Sequence, residues 1–230
     1  MMAFFDGKGH AIEVGGKLPS RLNGADVIFF GDSNVFYSAG NTFADLGSCF
    51  AELSKEFDIR SWQNKGSPGK TTWQGWSAFH TWATDEIAAQ YNKESTVLLF
   101  GYATNDYLSH WSAEYNGQST TATNAVHFIS RLIGQKFPKA FYAWIIPPET
   151  DWSKWTGSTE PDERNMAEKM PYIRQRLAEV QFPYCDMYHT SGITSEMMSD
   201  GIHLGGGGYD YTTEATYKYY RTLREYLMNK

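Results

Sequence analysis

The chain has 230 residues, 41% of them hydrophobic and 20% charged, with 20 basic against 26 acidic side chains and a formal net charge of −6. This length suits one domain with a substantial core. No stretch approaches the run of about 20 apolar residues that crosses a bilayer, and an acidic balance without any basic run argues against a nucleic-acid partner.

The first residues, MMAFFDGKGHAIEV, put Asp6, Lys8 and His10 where a secretion signal needs an unbroken apolar segment. We therefore expect no export signal, and a soluble protein that works in the cytoplasm or is carried outside the cell within a larger assembly. Residues 1–24 read as an extension or lead-in to a single domain that spans the whole chain.

From there, short runs rich in β-branched and aromatic residues alternate with segments of helical period, the pattern of βαβ units around a parallel sheet. Five strands are expected: 25–30 (ADVIFF), 58–63, 96–101 (TVLLFG), 141–146 (FYAWII) and 183–188. The third and fourth are nearly continuous apolar runs, as central strands covered on both faces should be.

Between them, Phe43, Leu46, Phe50, Leu53 and Phe57 recur at spacings of three and four and predict a helix over 42–57. Further helices are expected over 72–91, 121–136, 172–180 and 211–228, with Pro171 starting the one over 172–180 because proline suits a first helical turn. The long irregular stretch 147–162, PPETDWSKWTGSTEPD, follows the fourth strand and should lie on the carboxyl edge of the sheet, where α/β proteins place their ligands. Cys49 and Cys185 fall in a helix and a strand and read as small buried apolar residues, not as a disulfide or a thiolate cluster.

Four polar motifs follow strand ends in order. Gly31, Asp32 and Ser33 (FFGDSN) leave the first strand, where a nucleophilic serine would have the exposed turn it needs. NKGSPG, Asn64 to Gly69, leaves the second, and a glycine there can offer its backbone N–H to a developing oxyanion. Thr104, Asn105 and Asp106 leave the third, with a side-chain amide competent for the same task. Asp200, Gly201, Ile202 and His203 precede four glycines, Gly205 to Gly208, and a carboxylate three residues before a histidine can fix the imidazole's tautomer. Singly, each motif is also an ordinary turn or cap; their conjunction on one sheet edge is the informative feature.

These four blocks resemble those of the SGNH hydrolases, the GDSL-type esterases and lipases: GDSN at 31–34, NKGSPG at 64–69, ATND at 103–106 and DGIH at 200–203. The resemblance implies a flavodoxin-like three-layer α/β/α sandwich of about five parallel strands, with no metal or organic cofactor. It implies Ser33 as nucleophile, His203 as its base and Asp200 as the residue orienting that base. The oxyanion hole would be formed by Ser33, Gly69 and Asn105, with Gly66 as the less favoured alternative to Gly69. Two positions depart from the family pattern: Asn34 stands where the GDSL form has leucine, and Ala103 where the third block usually has glycine.

The implied chemistry is hydrolysis of short-chain acyl esters through an acyl-enzyme. An O-acetylated carbohydrate is the preferred substrate, because Trp73, Trp76, Tyr102, Tyr107, Trp152 and Trp155 flank the blocks and could stack on sugar rings. A broad short-chain esterase, a lipase or a thioesterase is the alternative within the class, and a non-catalytic carbohydrate-binding module the alternative outside it. GSPGKTT at 66–72 has the look of a phosphate-binding loop, but Asn64 stands where that loop needs glycine. The spacing of Asp32, Asp106 and Asp200 singles out no acid and base pair for glycoside hydrolysis.

Overall fold

The computed structural model describes residues 21–42, 45–157, 162–206 and 208–230, with the backbone of two short antiparallel strands, β1 (Phe4–Phe5) and β2 (Ala11–Ile12). The rest of the expected lead-in lies outside the described residues.

The main sheet has five parallel strands: β3 (Asp26–Gly31), β4 (Ser61–Gly66), β5 (Thr96–Gly101), β6 (Phe141–Ile146) and β7 (Tyr184–Asp186), in the order β4-β3-β5-β6-β7. This is the doubly wound order in which the chain reverses direction between its first and third strands, and ligands bind beyond the carboxyl ends at that switch point. The apolar runs mark β5 and β6 to the residue. Edge strand β4 begins three residues later than expected because Ser61 to Gly66 pairs in register with Asp26 to Gly31; half of the block-two motif is therefore strand. Edge strand β7 is only three residues long, since the Asp186 carboxylate accepts the His189 N–H and starts a helical turn.

On one face of the sheet lie α1 (Ser33–Ser38), α2 (Cys49–Glu56) and the C-terminal helix. On the other lie α3 (Thr72–Trp82), α4 (Asp85–Tyr91), α5 (Leu108–Ser112) and α6 (Ala122–Lys136). Later come α7 (Trp152–Thr156), α8 (Met166–Glu179) on that second face, α9 (Met187–Thr190) and α10 (Glu214–Met228). Val27 and Phe29 of β3 bury against Phe50, Leu53 and Leu223, while Ile28 and Phe30 bury against Phe79, Ile129 and Ile173. Alternate side chains of one strand thus feed two cores, which gives the three-layer α/β fold.

Several expected helices start elsewhere, each for a local reason. Leu46 is 74% exposed, in a turn; the Asp45 carboxylate accepts the N–H groups of Asn41 and Thr42, Gly47 has φ +85°, and only then does Ser48 cap α2. Phe43 lies outside the described residues. The expected helix 72–91 breaks where Thr84 caps a new start, and the last helix begins at Glu214 because Thr213 caps it. Pro171 lies inside α8, not in its first turn; the helix begins five residues earlier, at Met166. Both cysteines are free and buried in the same core, and burial pushes the Cys185 thiol up to about 12.

No helix among the described residues is long and apolar enough to cross a membrane.

Candidate active site

The ends of β3 and β5 bring the polar blocks together. Asp32 caps α1 by accepting the Asn34 N–H at 3.0 Å, and its own N–H donates to Gly101 O at 3.1 Å. Ser33 is therefore the first residue of a helix standing on the sheet's carboxyl edge, where its N–H lies beyond the reach of intrahelical acceptors. Burial pushes the Asp32 carboxyl up to about 6.

His203 Nε2 is 2.8 Å from Ser33 Oγ, and His203 Nδ1 is 2.7 Å from Asp200 Oδ2. The other carboxylate oxygen of Asp200 accepts the N–H groups of Ile202 (2.9 Å) and His203 (2.8 Å). Burial opposes the Asp200 charge, but these N–H donors and the imidazole outweigh it and hold the carboxyl below its usual range. Gly201 makes the turn possible: it has φ +75°, and a Cβ there would run into Asp151 O.

Asn34, which stands where the GDSL motif has leucine, has a structural role that the sequence does not announce. Its buried amide donates to Ile202 O at 3.2 Å and accepts the Leu204 N–H at 3.3 Å. The backbone on both sides of His203 is thereby fastened to the residue next to Ser33.

The two block-two glycines differ sharply. Gly66 already donates its N–H to Asn64 Oδ1 at 2.9 Å, and a Cβ on it would collide with the Phe36 backbone, so its glycine serves packing. Gly69 has φ +71° and faces open space, and its N–H has no partner among the described residues. Asn105 donates one amide hydrogen to Lys70 O at 3.1 Å, joining the third block to the second and leaving its other amide hydrogen available. Asp106 completes the junction by accepting both the N–H and the hydroxyl of Thr72 at the start of α3.

No protein-family model matches the sequence, and no curated protein matches it. Solved structures do resemble the fold. A protein from Lactobacillus plantarum superposes with a TM-score of 0.60 at 16% identity, covering 89% of this chain and 97% of its own. A lipase/acylhydrolase from Enterococcus faecalis gives 0.52 at 19%, covering 90% and 98%. A mutant acetyl-xylooligosaccharide esterase from Geobacillus gives 0.56 at 15%, covering 88% and 94%. The chain has the SGNH hydrolase fold.

Ala103 stands where the motif resemblance expects glycine, and the backbone gives a reason for that expectation. Ala103 has φ +115°, a left-handed conformation that costs a residue with a Cβ about 1–3 kcal/mol. Against that, Ala103→Gly loses a buried methyl group and gains unfolded-state entropy, together about 1 kcal/mol. We expect a net stabilisation on the order of 1 kcal/mol, seen as a rise of about 2–4 °C in thermal unfolding. A fall in Tm would refute strain at this position.

Of the six aromatic residues expected to bind substrate, the structure brings one to the imidazole. The Trp155 ring, 56% exposed on α7, meets His203 edge-on at 5.5 Å. Tyr102 does not face the cleft: it is 1% exposed, under Gly75 and against Trp144, because a strand-end residue at this register points into the α3 and α6 core. Trp152 is likewise buried, with the Arg164 guanidinium 3.8 Å over its ring. Tyr107 is half-exposed and contacts Arg164 and His110. Trp76 turns toward Phe128 of α6, as does Trp73, which also lines a groove of about 620 Å³ with Lys65, Lys70 and Trp82.

Sequence reasoning missed Tyr37 and Tyr209. Tyr37 meets the His203 ring at 5.9 Å, and half-exposed Tyr209 packs on Tyr37 at 5.3 Å. With Trp155 they make a collar of rings drawn from three distant segments, which no local pattern could announce.

Proposed function

We propose that the chain is a serine esterase acting on short acyl esters, with O-acetyl groups on a carbohydrate as its natural substrate. The observation that carries the reading is the continuous path from Asp200 through His203 to the Ser33 hydroxyl, at 2.7 and 2.8 Å. In the first half-reaction His203 takes the Ser33 proton as Oγ attacks the ester carbonyl, then gives it to the departing alcohol, leaving an acyl-serine. In the second, water repeats the sequence: His203 accepts its proton, the hydroxide attacks the acyl carbon, and the proton returns to Ser33 as the acid leaves. The N–H groups of Ser33 and Gly69 and the Asn105 amide receive the tetrahedral oxyanion.

Two features support a carbohydrate alcohol. The collar of Trp155, Tyr37 and Tyr209 offers ring faces and edges beside the histidine that protonates the leaving group. The groove along α3 adds indoles and two lysines next to the Asn105 contact. An acetyl-xylooligosaccharide esterase shares this fold, in keeping with that preference. A short-chain esterase of broad specificity is the competing reading of the same site.

A fluorophosphonate should label Ser33, located by mass spectrometry, and acetyl or butyryl aryl esters should turn over faster than esters of about twelve carbons. On acetylated oligosaccharides, Trp155→Ala should cut kcat/KM about tenfold while changing aryl acetate hydrolysis less than about threefold. Labelling elsewhere would remove the esterase reading. Equal losses on both substrates would remove the carbohydrate and leave the esterase.

A further inference from the structure

Lys169 of α8 is a lysine with no exposure at all, buried beneath the third block. Its Nζ donates to three carbonyl oxygens of one turn: Ala103 at 2.5 Å, Asp106 at 2.9 Å and Thr104 at 3.3 Å. No carboxylate oxygen takes part in these bonds. Methionine would fill the same volume without the cost of taking a charge out of water, so what distinguishes lysine here is its three donors.

We propose that Lys169 is a positioning residue for the oxyanion asparagine: by gathering the carbonyls of Ala103, Thr104 and Asp106 around one ammonium, it fixes the turn from which the Asn105 amide projects. The inference rests on the esterase reading. Three features of the turn fit it. The carbonyls of 103, 104 and 106 converge inward on the ammonium, while the Asn105 side chain between them reaches out to Lys70 O. The backbone at Ala103 is held in a left-handed conformation, and its carbonyl makes the shortest of the three bonds. Asp106, whose carboxylate grips Thr72, gives its carbonyl to the same nitrogen, so α8, the third block and the start of α3 share one anchor.

The charges facing the ammonium are mixed. Burial pushes Lys169 down to about 7; the carboxylates of Asp106, Asp32 and Asp162 resist that shift, and Arg164 adds to it. His110, whose Nδ1 lies 3.7 Å from Asp106 Oδ1, also feels the Lys169 charge. A neutral amine has two hydrogens and cannot serve three carbonyls, so only the ammonium completes the clamp.

The test is a double-mutant cycle on purified protein with an aryl acetate. Lys169→Met should lower kcat about tenfold or more with KM within about threefold, because an oxyanion contact is strengthened chiefly in the transition state. In an Asn105→Ala background the same substitution should cost less than about threefold further, since the donor it positions is already gone. Ala103→Gly combined with Lys169→Met keeps the test decisive if the single variant folds poorly: relief of backbone strain should restore thermal stability but not kcat. Full kcat in Lys169→Met, losses that multiply in the cycle, or recovery of kcat together with stability would each overturn the positioning role. A wild-type protein inert toward esters would overturn this inference and the esterase reading together, whereas an active wild type with an unimpaired Lys169→Met overturns this one alone.

Discussion

Ser33→Ala and His203→Ala are each expected to abolish nearly all ester turnover, with kcat falling by about 10⁴ or more, whereas Asp200→Asn should leave a measurable remainder. The first two make and break bonds in the proposed mechanism. The third holds the imidazole, and the structure shows how much of that hold an asparagine would keep. Its carbonyl oxygen could still accept the N–H groups of Ile202 and His203, which now donate to Asp200 Oδ1. Its amide nitrogen, however, would face His203 Nδ1 where Oδ2 now stands. An N–H donor there favours the tautomer that carries its proton on Nε2, which cannot take the serine proton. A loss of about 10²–10⁴ in kcat follows from that tautomer cost. The measurement is steady-state kinetics on folded variants. If His203→Ala retained more activity than Asp200→Asn, the base would have to be another histidine. The other described histidines have different company: His80 lies against Trp76, His110 beside Asp106, His127 on Tyr115 and His189 against Arg174.

Asn105→Ala should lower kcat by about 10²–10³ while KM for an aryl acetate moves little. The Asn105 amide has two hydrogens, of which one is bound to Lys70 O. That bond fixes the direction of the other, so the donor is oriented before substrate arrives and needs no reorganisation as charge develops. In the proposed hole Gly69 would supply a second N–H, from a backbone with φ +71°, a conformation that a bulkier residue would resist. A drop confined to KM would instead assign Asn105 to ground-state binding. A loss below about threefold would remove it from the oxyanion hole.

How much of this the sequence announced depends on what each element faces. β5 and β6 are covered on both sides, so burial wrote their limits into unbroken apolar runs, and both are legible to the residue. The edge strand β4, SWQNKG, has a single buried residue, Trp62, and carries no such run. The helix expected from Phe43 and Leu46 failed because spacing alone cannot see that Asp45 and Gly47 close a turn there. For the candidate site, the order of the strand-end blocks let Ser33, Asp200, His203, Gly69 and Asn105 be proposed from the sequence, and the structure joins Ser33, His203 and Asp200 in one hydrogen-bonded path. Their supports could not be proposed in that way. Lys169 shares the inward stripe of α8 with Met166, Met170, Ile173 and Leu177, but nothing in that spacing tells which carbonyls its ammonium would meet. Tyr37 reaches His203, and Tyr209 reaches Tyr37, only because the fold brings α1 beside the segment after His203. Tyr102 shows the converse error: adjacency to a block in sequence says nothing about which face of the strand end a ring will take.

Asn34 has a consequence for motion. Ser33 and His203 are 170 positions apart along the chain, and the proposed catalytic pair would drift apart whenever the segment bearing the histidine moved. Through the Asn34 amide, the rung of backbone from Ile202 to Leu204 is latched to the first turn of α1. The segments that carry Ser33 and His203 are therefore tied through the backbone as well as through the hydrogen bond between their side chains. The same turn is held from its other side as well: the Asp151 N–H donates to Gly201 O at 2.8 Å, which sets the start of α7, and with it Trp155, against the histidine.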